Sequence, residues 1–200
     1  MSDVRQRIAA YIREQALPPD KYSHQPRLYA RAARLAQGQP YDDDVLYAAA
    51  WLHDIGVFLG HRPADPHELA SWDNVAYALQ VVPGLLGQWG FPPGKIDAVA
   101  HVIAHHLPHQ RPASFEGVLL HDADILELLG AVGILRTVSK VGRDTRYHTF
   151  SDALGQLRRH VDSLPQQLCS EAARAEAQPL VALLQAFLAS AAAEAGGQPL

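Results

Sequence analysis

The sequence predicts an all-α fold, and three observations carry that prediction. Apolar residues recur three and four positions apart through most of the 200 residues, the period of a helix with one face turned to a core. Alternating β-branched stretches, which would mark half-buried strands, are almost absent. Gly and Pro cluster between the periodic segments, at Pro18-Pro19, Gly38 to Pro40, Gly60 to Pro66, Pro83-Gly84, Gly90 to Gly94 and Leu107 to Ala113, where they punctuate helices.

These breaks delimit helices over about 3–16, 21–37, 43–58, 67–81, 95–106 and 115–140. The polar segment GRDTRYHTF (142–150) then reads as a loop, and 150–195 as two or more further helices. In the last of these Leu180, Leu183, Leu184, Phe187 and Leu188 form a stripe at helical spacing that points to core packing. Pro179 suits a first helical turn, where its missing N–H costs nothing, and so predicts a break just before it. The tail AAAEAGGQPL is expected to fray. No break is long enough for a linker, no repeat is present, and 200 residues suit a single domain, 1–200.

Composition narrows the function. A formal charge of -4, from 21 acidic and 17 basic residues, provides no basic face for nucleic acid and no polybasic membrane anchor. A small-molecule partner fits better. Cys169 is the only cysteine, so no internal disulfide can form and a reducing compartment is implied. The N-terminal MSDVRQRIAAYIREQ contains no apolar run resembling a signal peptide or a membrane span. The expected location is the cytoplasm.

The chemistry centres on Ala48-Ala49-Ala50-Trp51-Leu52-His53-Asp54-Ile55-Gly56, an apolar helix ending in an imidazole, a carboxylate and a glycine. Adjacent side chains project about 100° apart, so at a helix end both can lean toward one ion. The competing reading is a solvated helix end capped by Gly56. His24 opens a face shared with Leu28, Ala32 and Leu35, which fits either a core histidine or a ligand. Asp122 and Asp124 lie inside the apolar run Leu119 to Leu129, and buried carboxylates are costly unless paired or metal-bound. His101, His105, His106 and His109 fall within nine residues, with His101 and His105 on one side of a helix and His106 turned away.

Together these segments resemble the HD superfamily, in which a histidine on one helix, a His-Asp pair on a later helix and an aspartate on another form the signature. His24, Arg27, Leu28 and Ala32 are similar to the family's H-x-x-R-hydrophobic-x-x-x-A helix, and His53 follows His24 by 29 residues. Asp122-Ala123-Asp124-Ile125-Leu126 is similar to D-A-D-R-L, with Ile125 in place of the arginine. His67-Glu68 followed by Ser71, and Ile103 with His106, resemble further helices of small bacterial HD phosphohydrolases. The likeness runs from about residue 20 to residue 140 and leaves the helices of about 150–195 unmatched.

The resemblance implies a metal-dependent phosphohydrolase with His24, His53, Asp54 and Asp124 as ligands, the second aspartate of D-A-D being the usual one. Two imidazoles and two carboxylates suit Mn²⁺, Fe²⁺, Co²⁺ or Zn²⁺ better than Mg²⁺. One ion so held keeps two octahedral positions for water and a phosphoryl oxygen, and Asp122 then orients the water, supports a histidine, forms a buried ion pair or serves a helix N-terminus. If His67, His101, His105 or His106 converge opposite Asp54, a second ion is implied. Otherwise His67 and His106 serve the substrate or act as general acid, the reading preferred here. His101 and His105 are assigned to substrate binding. Arg136 and Lys140 share a helix face and are the candidate phosphate partners, with a solvated face as the alternative. His61, His109, His148 and His160 receive no role. A di-iron oxygenase and a non-catalytic HD module remain the competing functions. No glycine-rich phosphate loop is present, so a nucleotide substrate follows from the resemblance alone.

Overall fold

The computed structural model of the chain describes residues 2–144 and 146–200, and its regular elements are all helical apart from an isolated bridge between Leu59 and Arg62. The helices are α1 (Ser2–Gln15), α2 (His24–Leu35), α3 (Asp43–Leu52), α4 (Pro66–Ala70), α5 (Asn74–Gln88), α6 (Pro93–Ala104), α7 (Phe115–Leu129), α8 (Ala131–Val138), α9 (Phe150–Ser163) and α10 (Glu171–Ala195). Short 3-10 turns cover Pro19–Ser23, Ile55–Val57 and Pro165–Gln167. The predicted loop at 142–150 is a chain of turns up to Phe150, and its Thr145 lies outside the described residues. The chain divides into two units, Met1–Ala123 and Asp124–Leu200, so the division falls within α7.

In the first unit α3 is the central helix. α1, α2 and α6 all pack on it, and α5 packs on α6. Its sequence explains this position: Ala48, Ala49 and Ala50 are fully buried, and such small side chains let neighbouring helices approach from several sides. Leu46 and Leu52, also fully buried, each contribute roughly 2 kcal/mol of apolar burial. At the N-terminus the Asp42 side chain accepts the N–H groups of Asp44 and Val45, and Asp42, Asp43 and Asp44 gather at the positive end of the helix dipole. Arg5 of α1 bridges Asp43 and Asp44, each at 2.8 Å, while Lys95 of α6 bonds Asp42 at 2.8 Å and Asp44 at 3.1 Å.

Three predicted boundaries in this unit are corrected. The helix expected over 43–58 stops at Leu52, and Asp54 leaves the helical path with φ -106° and ψ 17°. The helix expected over 67–81 is two helices, because the Asp73 side chain accepts the N–H groups of Val75 and Ala76 and starts α5 afresh. α5 then continues through Pro83, where a break was expected. Val75, Ala78, Val82 and Leu86 are buried along it, and burial on both sides of the proline outweighs the one lost hydrogen bond.

In the second unit α8, α9 and α10 pack on one another. The helix predicted over 115–140 is interrupted at Gly130, whose extended backbone caps α8. α10 runs unbroken past Pro179 and buries Ala173, Ala177, Leu184 and Leu188; the predicted stripe thus holds at Leu184 and Leu188, while Leu183 is exposed. α10 is also, by length and composition, the one helix among the described residues long and apolar enough to cross a membrane. The tail expected to fray is tied back: beyond the left-handed cap at Gly196, the Leu200 N–H donates to Ser151 Oγ and the Ser151 N–H donates to Leu200 O, both at 2.9 Å.

His160 of α9 has a measurable consequence. Burial, with the charges of Lys140 and Arg159 nearby, pushes its pKa down from the usual 6.5 to about 4. The unfolded chain therefore takes up a proton that the folded chain refuses between those values. The stability contribution is complete above about pH 6.5 and is lost as pH falls toward 4. The expected loss is about 2 kcal/mol after discounting for partial exposure. Urea midpoints measured from pH 7 to pH 4.5 should show it, and His160→Gln should flatten that slope; an identical slope in the variant would exclude His160 as its source.

Candidate metal centre

His24 is the first residue of α2 and His53 the residue that caps α3, and the packing of these two helices brings their rings together. Both are buried, at 4% and 0% exposure. Their Nε2 atoms lie 3.3 Å apart. Asp54 follows in the bridge region of backbone space, a conformation frequent in active sites, and this turns its Oδ2 to within 3.6 Å of His53 Nε2 and 3.9 Å of His24 Nε2. His106, just beyond α6, is 1% exposed and its ring centroid is 4.9 Å from that of His53. The donor atoms of His53, Asp54 and His106 all lie within 4.8 Å of one another.

The hydrogen bonds around this group fix which ring atoms face inward. His53 Nδ1 is 3.0 Å from the Ala50 carbonyl and His106 Nδ1 is 2.7 Å from the Ile103 carbonyl. A carbonyl can only accept, so each Nδ1 carries the hydrogen and each neutral ring presents an Nε2 lone pair. His53 therefore turns a lone pair toward His24 Nε2 and toward a carboxylate oxygen. A hydrogen on His24 Nε2 or a cation between these atoms satisfies the buried His53 lone pair. Ligand atoms about 2.1 Å from one ion are separated by roughly 3.0–3.5 Å, so the 3.3 Å spacing of the two imidazoles falls in the range for a shared divalent cation, and Asp54 Oδ2 stands slightly beyond it at 3.6 Å and 3.9 Å.

The other predicted site residues have distinct surroundings. Asp122 is fully buried, with Oδ1 3.2 Å from His121 Nδ1, while His121 Nε2 faces the Pro108 carbonyl at 3.3 Å. Asp124 stands on the same helix and is half-buried. Two residues apart, the two aspartates project to nearly opposite sides of α7. His67 is exposed on the short helix α4. The His101 and His105 rings lie tilted against each other at 4.4 Å between centroids, and His105 Nδ1 is bonded to the His101 carbonyl at 2.8 Å; as the helical spacing predicted, they form a pair that excludes His106. In the second unit Arg136 lies 3.3 Å from buried Glu127, and Lys140 sits over the Tyr147 ring.

Four features were not legible in the sequence. Gly56 does not cap α3. A Cβ there would lie 2.6 Å from the Asn74 carbonyl oxygen, so glycine is needed for close approach. The Trp72 indole N–H donates to the Gly56 carbonyl at 2.8 Å. Asn74 Nδ2 donates to Asp54 Oδ1 at 3.4 Å. His61, given no role, bonds Tyr77 at 2.8 Å and Gln15 at 3.0 Å, so it ties the segment after the His-Asp pair to α1 and α5. None of these contacts has a local sequence signature, since each joins residues at least sixteen positions apart.

Residues 22–129 match the family model for the HD domain. The fold is similar to the crystal structure of Bacillus subtilis YpgQ in complex with ADP, at 20% identity and a TM-score of 0.74, covering 98% of each chain. It is similar to a HD-superfamily hydrolase from Bacillus thuringiensis, at 20% identity and a TM-score of 0.70, covering 98% of this chain and 99% of that one. A predicted HD superfamily hydrolase from an uncultured Thermotogales bacterium aligns at 25% identity with a TM-score of 0.63, covering 94% of this chain and 91% of that one. No curated protein matches the sequence.

Proposed function

The chain belongs to the HD-domain family, and on that premise we propose that it is a metal-dependent phosphohydrolase acting on a small phosphate ester or anhydride, with nucleotides as the first substrates to try. The observation that carries this reading is the convergence of His24, His53 and Asp54 with the His53 lone pair turned inward. In this reading those three residues and Asp124 hold the ion. Asp124 is chosen because Asp122-Ala123-Asp124 resembles the family's D-A-D, and because Asp122 is engaged by His121. A divalent ion held there supplies Lewis acidity toward a phosphoryl oxygen and lowers the pKa of bound water.

The chain's own groups do the rest. His106, its Nδ1–H committed to the Ile103 carbonyl, can take or give a proton only at Nε2, the atom that faces the group, which suits a general acid toward a leaving oxygen. Asp122 supports His121. His67, His101, His105, Arg136 and Lys140 belong to the same proposal as phosphate partners, with Arg136 already paired to Glu127. The ADP bound by Bacillus subtilis YpgQ supports a nucleotide as ligand.

The test is phosphate release from a panel of nucleoside mono-, di- and triphosphates and simple phosphate esters, using metal-stripped protein resupplied with Mn²⁺, Co²⁺, Zn²⁺ or Mg²⁺. The expected result is turnover with at least one of the first three ions that EDTA abolishes. No metal-dependent release across the panel would sink the proposal. A second reading rests on His106 joining His53 and Asp54 in a group of its own, which adds a donor for a second ion. Two bound irons with oxygen consumption and no phosphate release would replace the hydrolase by an oxygenase.

A further inference from the structure

Asp54 has two oxygens, and the structure gives them different partners. Oδ2 faces the Nε2 atoms of His24 and His53. Oδ1 is turned the other way, toward Asn74 Nδ2 at 3.4 Å. Asn74 is the first residue of α5, twenty positions beyond Asp54 in the chain, and two independent contacts hold it in place. On one side the Asp73 side chain accepts the N–H groups of Val75 and Ala76 at 2.9 Å each, which fixes where α5 begins. On the other the Asn74 backbone lies directly against Gly56, with the Trp72 indole bonded to the Gly56 carbonyl. The glycine two residues after Asp54 therefore provides the space that lets the start of α5 reach that carboxylate.

We propose that Asn74 is a positioning residue for the metal centre: its amide holds Oδ1 of Asp54 so that Oδ2 alone is presented to the ion alongside His24 and His53. This rests on the metal-centre reading above. A carboxylate accepts only, so the amide must turn its NH₂ toward Oδ1. Fixing one oxygen restricts rotation of the carboxylate about its terminal bond, and groups that orient a ligand in this way typically contribute about 10–100-fold in metal affinity.

The test uses the fact that Asn74 is the only asparagine in the chain, so selective side-chain ¹⁵N-asparagine labelling gives one assigned NH₂ pair. In metal-free full-length protein that pair should move on Asp54→Ala and stay in place on the control Cys169→Ser. Mn²⁺ affinity by calorimetry should fall about tenfold in Asn74→Ala, with helical circular dichroism and the metal-free melting curve unchanged. Gly56→Ala, which displaces the start of α5, should weaken Mn²⁺ binding as well. An NH₂ signal indifferent to Asp54→Ala, or unchanged Mn²⁺ affinity in Asn74→Ala, would overturn the proposal. If the unmutated chain binds no Mn²⁺, the metal-centre reading fails with it. Metal binding that depends on Asn74 without phosphate release would leave this inference standing and remove only the hydrolase.

Discussion

Asp54→Ala is expected to reduce metal-dependent phosphate release by on the order of 10³-fold or more, a change of about 4 kcal/mol in the barrier, while leaving the helical content intact. The argument is one of charge and place. Asp54 is the acidic member of the trio it forms with His24 and His53, and its Oδ2 lies within 3.9 Å of both imidazoles. Removing it leaves two buried imidazole nitrogens 3.3 Å apart with less negative charge to favour a cation between them. The side chain contributes nothing to the apolar core, so the α3 packing built from Ala48 to Leu52 survives. Elemental analysis of the purified variant should show lower metal content in parallel with the lost rate. Full activity in Asp54→Ala would mean that the chemistry lies elsewhere in the molecule.

Gly133→Ala is expected to destabilise the protein by roughly 3 kcal/mol, and the sign is opposite to what helix propensity suggests. In a helix interior alanine is favoured over glycine by about 1 kcal/mol, and Gly133 lies inside α8. A Cβ there would however sit 2.2 Å from the Leu128 carbonyl oxygen, 2.5 Å from the Leu128 carbonyl carbon and 2.7 Å from the Glu127 oxygen. All three are backbone atoms of the last turns of α7, so no rotamer change relieves the overlap. α8 would have to move off that turn, drawing Ile134 and Thr137 out of their buried positions and pulling Arg136 away from Glu127. For a chain of this length the loss corresponds to a fall of about 6–12 °C in Tm. Urea denaturation of Gly133→Ala beside the unmutated chain checks it, and an equal or higher midpoint would contradict the tight α7–α8 junction.

Features set within a few residues were legible in the sequence, and those set by distant neighbours were not. The all-α class, the buried face of α2 through His24, Leu28, Ala32 and Leu35, and the split between the His101–His105 pair and His106 were all legible, because each follows from helical periodicity within a few residues. The boundaries at Leu52 and Gly130, and the continuation of α5 and α10 through proline, were not. Pro83 and Pro179 carry the local signal of a break, yet both helices bury a face on either side of the proline, and burial is a property of the neighbours.

The candidate metal centre divides in the same way. The sequence by itself determined the fold class, the His-Asp pair at the end of an apolar helix, and the residue types that make a mixed donor set. Only the tertiary structure decided that His24 and His53 meet through Nε2, that His106 rather than His101 or His105 joins them, and that Gly56 is small so that Asn74 can reach Asp54. Those decisions depend on the path of each chain segment and on carbonyls that fix a ring's hydrogen. They bring together residues twenty or more positions apart, for which linear spacing holds no signal.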